Sequence, residues 1–219
     1  MKLYAQCLYG IRKENPFFGF LGFPLDQLSF LCHDIGMRKP KGRSVMKHFL
    51  IVVDMQKDFV DGALGTAEAQ AIVGNVMDKI LNFDGQIFAT LDTHTENYLQ
   101  SAEGKKLPVA HCIKGTAGWM LDDGVAACLE QKGYTPVEKV TFGSVLLPRL
   151  LYQAAAGEPF TAELVGLCTD ICVVSNALML KANFPEMEIT VDSRCCAGVT
   201  PETHAAALTT MACCQINVK

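Results

Sequence analysis

The sequence predicts an α/β fold in which helices cover both faces of a parallel sheet. From residue 46 to residue 219, short apolar runs alternate with stretches of ten or more residues in helical spacing. Such alternation is typical of βαβ units, whose strands are parallel and buried on both faces. The same stretch contains no internal repeat, so we expect a single domain over residues 46–219.

Six segments are predicted as strands. The first, Phe-Leu-Ile-Val-Val at 49–53, is a continuous apolar run of the kind found in a strand buried on both faces. Segment 135–138 is less apolar and predicts a weaker strand. The predicted strands are residues 49–53, 86–91, 135–138, 163–167, 188–192 and 215–218.

Five segments between these strands are predicted as helices. Thr66 is a candidate N-cap, and the Pro-Glu pair that starts at Pro201 suits a first helical turn. Gly133 and Gly157 are expected to close the helices that they follow. The predicted helices are residues 66–83, 121–132, 145–156, 170–183 and 201–213.

The composition of the chain excludes several classes of function. Half of the 219 residues are hydrophobic and 19% are charged, which suits a soluble globular protein. The net charge is -4 without a dense basic stripe, so we expect no nucleic-acid partner. No apolar run is long enough to span a bilayer, so we expect no membrane partner.

Ten cysteines could indicate a disulfide framework, but their placement argues against one. Cys195-Cys196 and Cys213-Cys214 are neighbours in sequence, and on a strand neighbouring side chains point to opposite faces. We therefore expect reduced thiols and a cytoplasmic location.

Residues 1–45 differ in kind from the rest of the chain. They carry seven Lys/Arg against three acidic residues, and their aromatic cluster is broken by Pro and Gly without a steady period. Met46 then leads directly into the first strand. We expect Met46 to be the natural start and residues 1–45 to be a non-native or disordered extension; an organelle transit peptide is the alternative.

Polar residues stand at the carboxyl ends of three predicted strands, where ligands bind in open parallel sheets. Asp54 follows the first strand, Lys139 follows the third, and Cys172 lies in the strand-to-helix turn after the fourth. The helix dipole and a cationic Lys139 would favour the Cys172 thiolate. Asp54 could then move a proton, and N–H groups of the turn from Cys168 to Cys172 could form an oxyanion hole.

A second group of polar residues follows the second strand. Asp92 and His94 are two apart, so on an extended segment their side chains point the same way. With His111 they would make a site of two histidines and one carboxylate, which suits Zn²⁺ or Fe²⁺.

Each of these residues also has a purely structural interpretation. Free cysteine is often buried in a core, a single aspartate often ends a turn, and a single lysine is usually solvated. His94 could simply cap a turn. The joint placement at strand ends is what favours a functional site.

The order of these motifs resembles the isochorismatase-like cysteine hydrolases, in the nicotinamidase-related branch. The resemblance covers residues 46–219 and none of residues 1–45. It is carried by Asp-x-Gln-x-Asp-Phe at 54–59, Asp-x-His at 92–94, His-Cys at 111–112, Lys139 and Thr-Asp-Ile-Cys-Val at 169–173.

The resemblance implies a three-layer α/β/α sandwich with a six-stranded parallel sheet and a catalytic triad. That triad would be Asp54, Lys139 and Cys172, with a cis peptide bond at Leu167-Cys168. It also implies a homo-oligomer. True isochorismatases lack the cysteine, so that activity is not expected.

The resemblance further implies a divalent metal, Zn²⁺ or alternatively Fe²⁺ or Mn²⁺, held by ligands at Asp92, His94 and His111. Leu107 stands where nicotinamidases usually carry a tryptophan that packs on the substrate ring. Phe59, Leu107 and Phe142 are therefore the expected substrate-binding residues.

These features predict hydrolysis of a small amide through a cysteine thioester, with nicotinamide as the leading substrate. The first alternative is the same chemistry on another small amide or an N-carbamoyl compound, without metal. A second alternative, from another class, is a non-enzymatic protein that binds metal or presents thiols.

Overall fold

The computed structural model of the protein describes residues 46–219. Within them, six parallel strands form one sheet with helices on both faces, so the predicted α/β fold is confirmed. The extension expected over residues 1–45 lies outside the described residues. In the described part, no helix has both the length and the apolar character needed to cross a membrane.

The strands lie close to where the sequence predicts them. In chain order they are β1 Lys47–Val53, β2 Gln86–Asp92, β3 Tyr134–Lys139, β4 Phe160–Leu167, β5 Glu188–Ala197 and β6 Asn217–Val218. The α-helices are α1 Lys57–Val60, α2 Ala67–Asn82, α3 Asp123–Lys132, α4 Leu147–Ala155, α5 Val174–Asn183 and α6 Pro201–Cys213. The short α1 was not predicted, because its four residues are too few to show a helical period.

The strand order is β3-β2-β1-β4-β5-β6. The chain therefore winds outward from β1 in one direction through β3, and then returns to the other side of β1 with β4. This reversal is the point in an open α/β sheet where ligands usually bind. The carboxyl ends of β1 and β4 are paired there, with Val53 opposite Gly166.

Two apolar cores enclose the sheet, and β1 contributes to both. Phe49, Ile51 and Val53 face one core, where they pack with residues of α4, α5 and α6. Leu50 and Val52 face the other, which includes residues of α2 and α3. Because alternate residues of β1 enter opposite cores, a one-residue slip in its pairing would exchange all of these contacts.

The segment after β4 differs from the prediction. The sequence predicts one helix over 170–183, whereas the structure has a π-helix at Thr169–Val173 that continues into α5. A π-turn carries the same kind of apolar pattern as the helix that it precedes, so hydrophobic spacing does not separate the two. Cys172 lies within this wider turn.

The end of α4 and the length of the last strand also differ from the prediction. The left-handed residue that closes α4 is Ala156, with Gly157 following it in a positive-φ conformation. The last strand is shorter than the predicted segment and comprises Asn217–Val218. Gly133 and Thr66 act as expected, as the C-cap of α3 and the N-cap of α2.

Gly166 is required where β4 passes the end of β1. Its φ is +115°, which side chains rarely allow, and a Cβ there would overlap the carbonyl oxygen of Val53. We expect Gly166→Ala to lower the free energy of unfolding by about 3 kcal/mol or more, as measured by urea titration.

The control is Gly74→Ala in α2, where an added Cβ meets nothing within 4 Å. Alanine is the better helix former, so this change should raise the free energy of unfolding by about 0.5–1 kcal/mol. Equal stability of the two variants would show that the close approach at Gly166 is unimportant.

Candidate active site

Four polar residues meet at the carboxyl edge of the sheet because their strands are neighbours. Asp54 directly follows β1, while Asp92 and Lys139 are the last residues of β2 and β3. Cys172 lies in the π-helix that follows β4. The strand order β3-β2-β1-β4 places these four strand ends side by side, as the strand-end argument predicts.

The buried ammonium group of Lys139 contacts all three of the other groups. Its Nζ lies 2.7 Å from Asp54 Oδ2 and 3.1 Å from Asp92 Oδ1. The same Nζ is 3.5 Å from the sulfur of Cys172. The residues proposed from the sequence as a triad therefore converge, and Lys139 joins them to the candidate metal ligand Asp92.

The protonation states at this edge differ from the expectation for Cys172. Burial, reinforced by the charge of Asp54, raises the pKa of the Cys172 thiol well above its usual value despite the opposing effect of Lys139. Burial tends to lower the pKa of Lys139, but the charges of Asp54, Cys172 and Asp92 raise it, so it stays cationic. Desolvation of the sulfur therefore opposes the thiolate that the helix dipole and Lys139 were expected to favour.

Asp54 is placed to take the thiol proton. Burial raises the pKa of this carboxyl group, while the charge of Lys139 and a hydrogen bond from Thr90 lower it. Thr90 Oγ1 donates to Asp54 Oδ1 at 2.6 Å, and the Asp54 N–H donates to the Thr90 carbonyl at 3.2 Å. Asp54 itself has a φ of +46°, so these contacts hold it in a left-handed conformation unusual for a non-glycine residue.

The backbone around Cys172 is tightly bonded. The peptide bond between Leu167 and Cys168 is cis. The Cys168 carbonyl accepts hydrogen bonds from the N–H groups of Ile171, at 3.1 Å, and Val173, at 3.0 Å. The N–H groups of Cys168 and Cys172, which the sequence analysis expected to form an oxyanion hole, are not the ones bound to the Cys168 carbonyl, and that role stays a prediction.

Asn176 is a buried residue that the sequence analysis did not identify. Its Nδ2 donates to the Cys172 carbonyl at 2.8 Å and to the Phe142 carbonyl at 3.2 Å. Its Oδ1 accepts from the Ser144 N–H at 2.9 Å. One side chain thus ties the nucleophile turn to the loop after β3. The sequence did not single it out, because Ser175, Lys181 and Asn183 of the same helix are polar as well.

The candidate metal ligands also converge, with one addition. Ligand atoms of Asp92, His94, Glu103 and His111 all lie within 4.8 Å of one another. Asp92 Oδ2 is 2.9 Å from His94 Nε2 and 3.7 Å from His111 Nε2. Glu103 Oε1 lies 3.8 Å and 3.7 Å from the same two nitrogens. Glu103 was not predicted, because an acid in an irregular loop has no periodicity that places it.

The side chains of this cluster fit a divalent cation. His94 Nε2 is buried, and Asp92 Oδ2 lies 2.9 Å from it without the alignment of a hydrogen bond. His111 Nδ1 donates to the Val109 carbonyl at 2.8 Å, which leaves the Nε2 lone pair directed at the cluster. The ring of Tyr98 packs against both histidines, with centroid distances of 4.7 and 4.8 Å. Two nitrogens and two carboxylates suit Zn²⁺, Fe²⁺ or Mn²⁺.

A cavity of about 240 Å³ opens onto both groups of residues. Phe59, Leu107 and Phe142, the three residues expected to bind substrate, all line it. Phe59 also packs on His111, with ring centroids 5.5 Å apart. The full lining is Phe59, Leu64, Thr66, Ala69, Asp92, Glu103, Leu107, His111, Phe142, Leu167, Cys168, Ile171, Cys172, Gly198 and Val199. The cavity is mostly apolar, and its polar groups are gathered beside Cys172 and the metal-ligand cluster.

Comparison with known proteins identifies relatives by sequence and by fold. The sequence model of one family, described as "Isochorismatase domain", matches residues 48–218. An uncharacterized isochorismatase family protein, PncA of Bacillus subtilis strain 168, is 32% identical over 177 residues. That alignment covers 74% of this chain and 93% of the relative.

Two solved structures extend the comparison to the fold. The pyrazinamidase/nicotinamidase of Streptococcus mutans UA159 is 26% identical with a TM-score of 0.69, covering 79% of this chain and 100% of that one. The pyrazinamidase of Pyrococcus horikoshii, solved in complex with zinc, is 25% identical with a TM-score of 0.66, covering 79% and 98%. With the family match over most of its length, the chain belongs to the isochorismatase family, in the part of it that is related to the nicotinamidases.

Proposed function

We propose that this protein is a cysteine amidohydrolase that converts a small carboxamide to a carboxylate and ammonia. The observation that carries the proposal is the position of Lys139, whose Nζ contacts Asp54, Asp92 and Cys172 in one pocket. A thiol, a carboxylate and a cation in contact are the groups that nucleophilic catalysis on a carbonyl requires. Relatives named as nicotinamidases and pyrazinamidases support the same class of reaction.

Acylation begins with the transfer of the Cys172 proton to Asp54 while the sulfur attacks the amide carbon. Because burial keeps the thiol protonated, this transfer accompanies the attack rather than preceding it. The N–H groups of Cys168 and Cys172 donate hydrogen bonds to the carbonyl oxygen as negative charge develops on it. The carbon–nitrogen bond then breaks, Asp54 returns the proton to the leaving nitrogen, and ammonia departs from a thioester.

Deacylation uses the same residues in the reverse order. Asp54 takes a proton from a water molecule, whose oxygen attacks the thioester carbon. The carbon–sulfur bond breaks, Asp54 passes its proton to Cys172, and the product forms as a carboxylic acid that loses its remaining proton to solvent. Throughout, Lys139 stabilises the negative charge as it moves between Asp54 and the sulfur, at distances of 2.7 and 3.5 Å.

The metal-ligand cluster positions the substrate in this proposal. A divalent cation, when bound by Asp92, His94, Glu103 and His111, supplies a Lewis-acid contact for a heteroatom of the substrate ring. The zinc in the Pyrococcus horikoshii pyrazinamidase supports a metal in this class of protein. Phe59 and Phe142 would pack against the ring itself.

Nicotinamide is the substrate that we propose first, because the pocket suits a flat, uncharged molecule. None of the described lining residues of the cavity is a lysine or an arginine. An N-carbamoyl amino acid brings a carboxylate, and Lys139 is already paired with Asp54 and Asp92. The same argument favours a simple carboxamide over that alternative.

The location and assembly of the protein are also proposals. All cysteines of residues 46–219 are free thiols, which supports a reducing compartment and hence a cytoplasmic enzyme. We also propose a homo-oligomer whose only other partner is the amide substrate.

The amidase proposal predicts ammonia release from nicotinamide that depends on Cys172 and Asp54. Cys172→Ala should abolish the reaction, and Asp54→Asn should lower kcat by about 10² or more because the proton has no acceptor. Ammonia is measured by a coupled assay, and Cys213→Ala, which removes an exposed thiol, serves as the control. If no amide in a broad panel releases ammonia, the non-enzymatic alternative is favoured.

The metal-ligand cluster predicts the binding of about one divalent ion per chain. Glu103→Gln and His94→Ala should each raise the Kd for Zn²⁺ by about tenfold or more, since each removes one ligand. Calorimetric titration and elemental analysis measure this without reference to activity. Glu96→Gln and His48→Ala, at exposed positions, are the matched controls. Unchanged zinc affinity in Glu103→Gln would remove Glu103 from the site.

The hydrogen bond from Thr90 predicts a shift in pH dependence. Thr90→Val keeps the shape but removes the donor, so the Asp54 pKa should rise and the acid limb of the kcat/KM profile should move to higher pH. The free energy of unfolding should also fall by about 1–3 kcal/mol. Thr90→Ser keeps the hydroxyl and should keep the profile; identical profiles for Val and wild type would contradict the assignment.

A further inference from the structure

A second cavity adjoins the one that holds Cys172. Its volume is about 620 Å³, and it shares four lining residues with the inner cavity, namely Glu103, Leu107, Phe142 and Ile171. The two cavities are therefore neighbours, and these four shared side chains are called the wall between them. The inner cavity, at about 240 Å³, is smaller than the roughly 300–1,000 Å³ of pockets that enclose drug-sized ligands. It has room for one ring and its amide.

The wall between the cavities consists of side chains on anchored backbone. Leu107 and Phe142 remain 38% and 43% exposed, so neither side chain is fixed in a core. Their carbonyl groups are held by Tyr98 Oη at 3.0 Å and by Asn176 Nδ2 at 3.2 Å. The backbone is thus held at both positions, while the two half-exposed side chains have the freedom to change rotamer that a packed core would deny them.

The outer cavity has a different chemical character from the inner one. Besides the shared residues, it is lined by Lys106, Thr141, Asp170 and Ser175, which bring one positive charge, one negative charge and two hydroxyls. Ser175 Oγ already donates to the Ile171 carbonyl at 2.6 Å, so toward the cavity it acts as an acceptor. These groups suit an uncharged substituent that can both donate and accept hydrogen bonds.

We infer that the site takes ring carboxamides that carry a neutral, hydrogen-bonding substituent, with the ring in the inner cavity and the substituent in the outer one. Leu107 and Phe142 are then the residues that determine how large a substituent is accepted. This inference rests on the proposed amidase function and adds the class of substrate to it.

The test compares nicotinamide with pyridine-3-carboxamides that bear a hydroxymethyl group at each other ring carbon in turn. We expect at least one of them to reach a tenth or more of the kcat/KM of nicotinamide, or to exceed it. Leu107→Trp adds bulk between the two cavities and should block the substituent. It should therefore lower the ratio of kcat/KM for a substituted amide to kcat/KM for nicotinamide by about tenfold, equivalent to about 1.4 kcal/mol. Leu107→Ala should raise that ratio.

Two further variants make the result specific. Leu99→Trp places the same bulk at another exposed leucine that lines neither cavity, and it should leave the ratio unchanged. Thr141→Trp narrows the outer cavity alone and should lower the ratio as Leu107→Trp does. It therefore tests the inference even if Leu107→Trp folds poorly.

The inference is overturned if every substituted amide stays below a tenth of nicotinamide, or if neither tryptophan variant of the cavity lowers the ratio more than Leu99→Trp does. In both cases nicotinamide still releases ammonia, so the amidase proposal stands. If neither nicotinamide nor any substituted amide releases ammonia, both proposals fail together.

Discussion

The buried ammonium group of Lys139 is the constraint on which the rest of the site depends. An isolated charge of this kind would cost several kcal/mol to bury, so it needs its partners in place. Asp92, at 3.1 Å, ends β2, the neighbour of the strand β3 that Lys139 ends. Asp54, at 2.7 Å, follows β1, which lies on the other side of β2. The pairing of β1, β2 and β3 must therefore keep its register, and the two apolar cores that fix β1 support the charge cluster indirectly.

Burial sets the chemistry as strongly as the charges do. The same desolvation that strengthens the attraction between Lys139 and Asp54 also raises the pKa of the Cys172 thiol. A more exposed cysteine would ionise more readily, but its contacts with Lys139 would be weaker. In the proposed mechanism, this means that the Cys172 thiol gives up its proton to Asp54 only as its sulfur attacks the substrate carbonyl.

The sequence was most informative where its hydrophobic pattern located a strand and a general rule said which end of that strand binds ligands. Apolar runs located the strands, and the rule that ligands bind at strand ends then selected Asp54, Lys139 and Cys172. Thr90 was missed because threonine is common within strands, although its hydroxyl bonds to Asp54. A polar residue one or two positions before a strand end is the signal that could have identified it.

Loop residues were harder to predict for a different reason. Glu96 and Glu103 lie between His94 and His111, and nothing in their spacing distinguishes them, because the segment from residue 93 to residue 118 has little regular structure. The loop instead folds around its own contacts: Tyr98 packs on both histidines and its hydroxyl donates to the Leu107 carbonyl. These contacts turn the loop so that Glu103, and not Glu96, reaches the cluster.

The charges of the completed site suggest why a divalent cation and an uncharged substrate belong together. Taken at their formal charges, the carboxylates of Asp54, Asp92 and Glu103 and the ammonium of Lys139 sum to a net charge of -2. A divalent cation brings that sum to zero. An uncharged amide then enters without adding charge to a buried, mostly apolar pocket, whereas the carboxylate that the reaction forms restores a negative charge there, which favours its release.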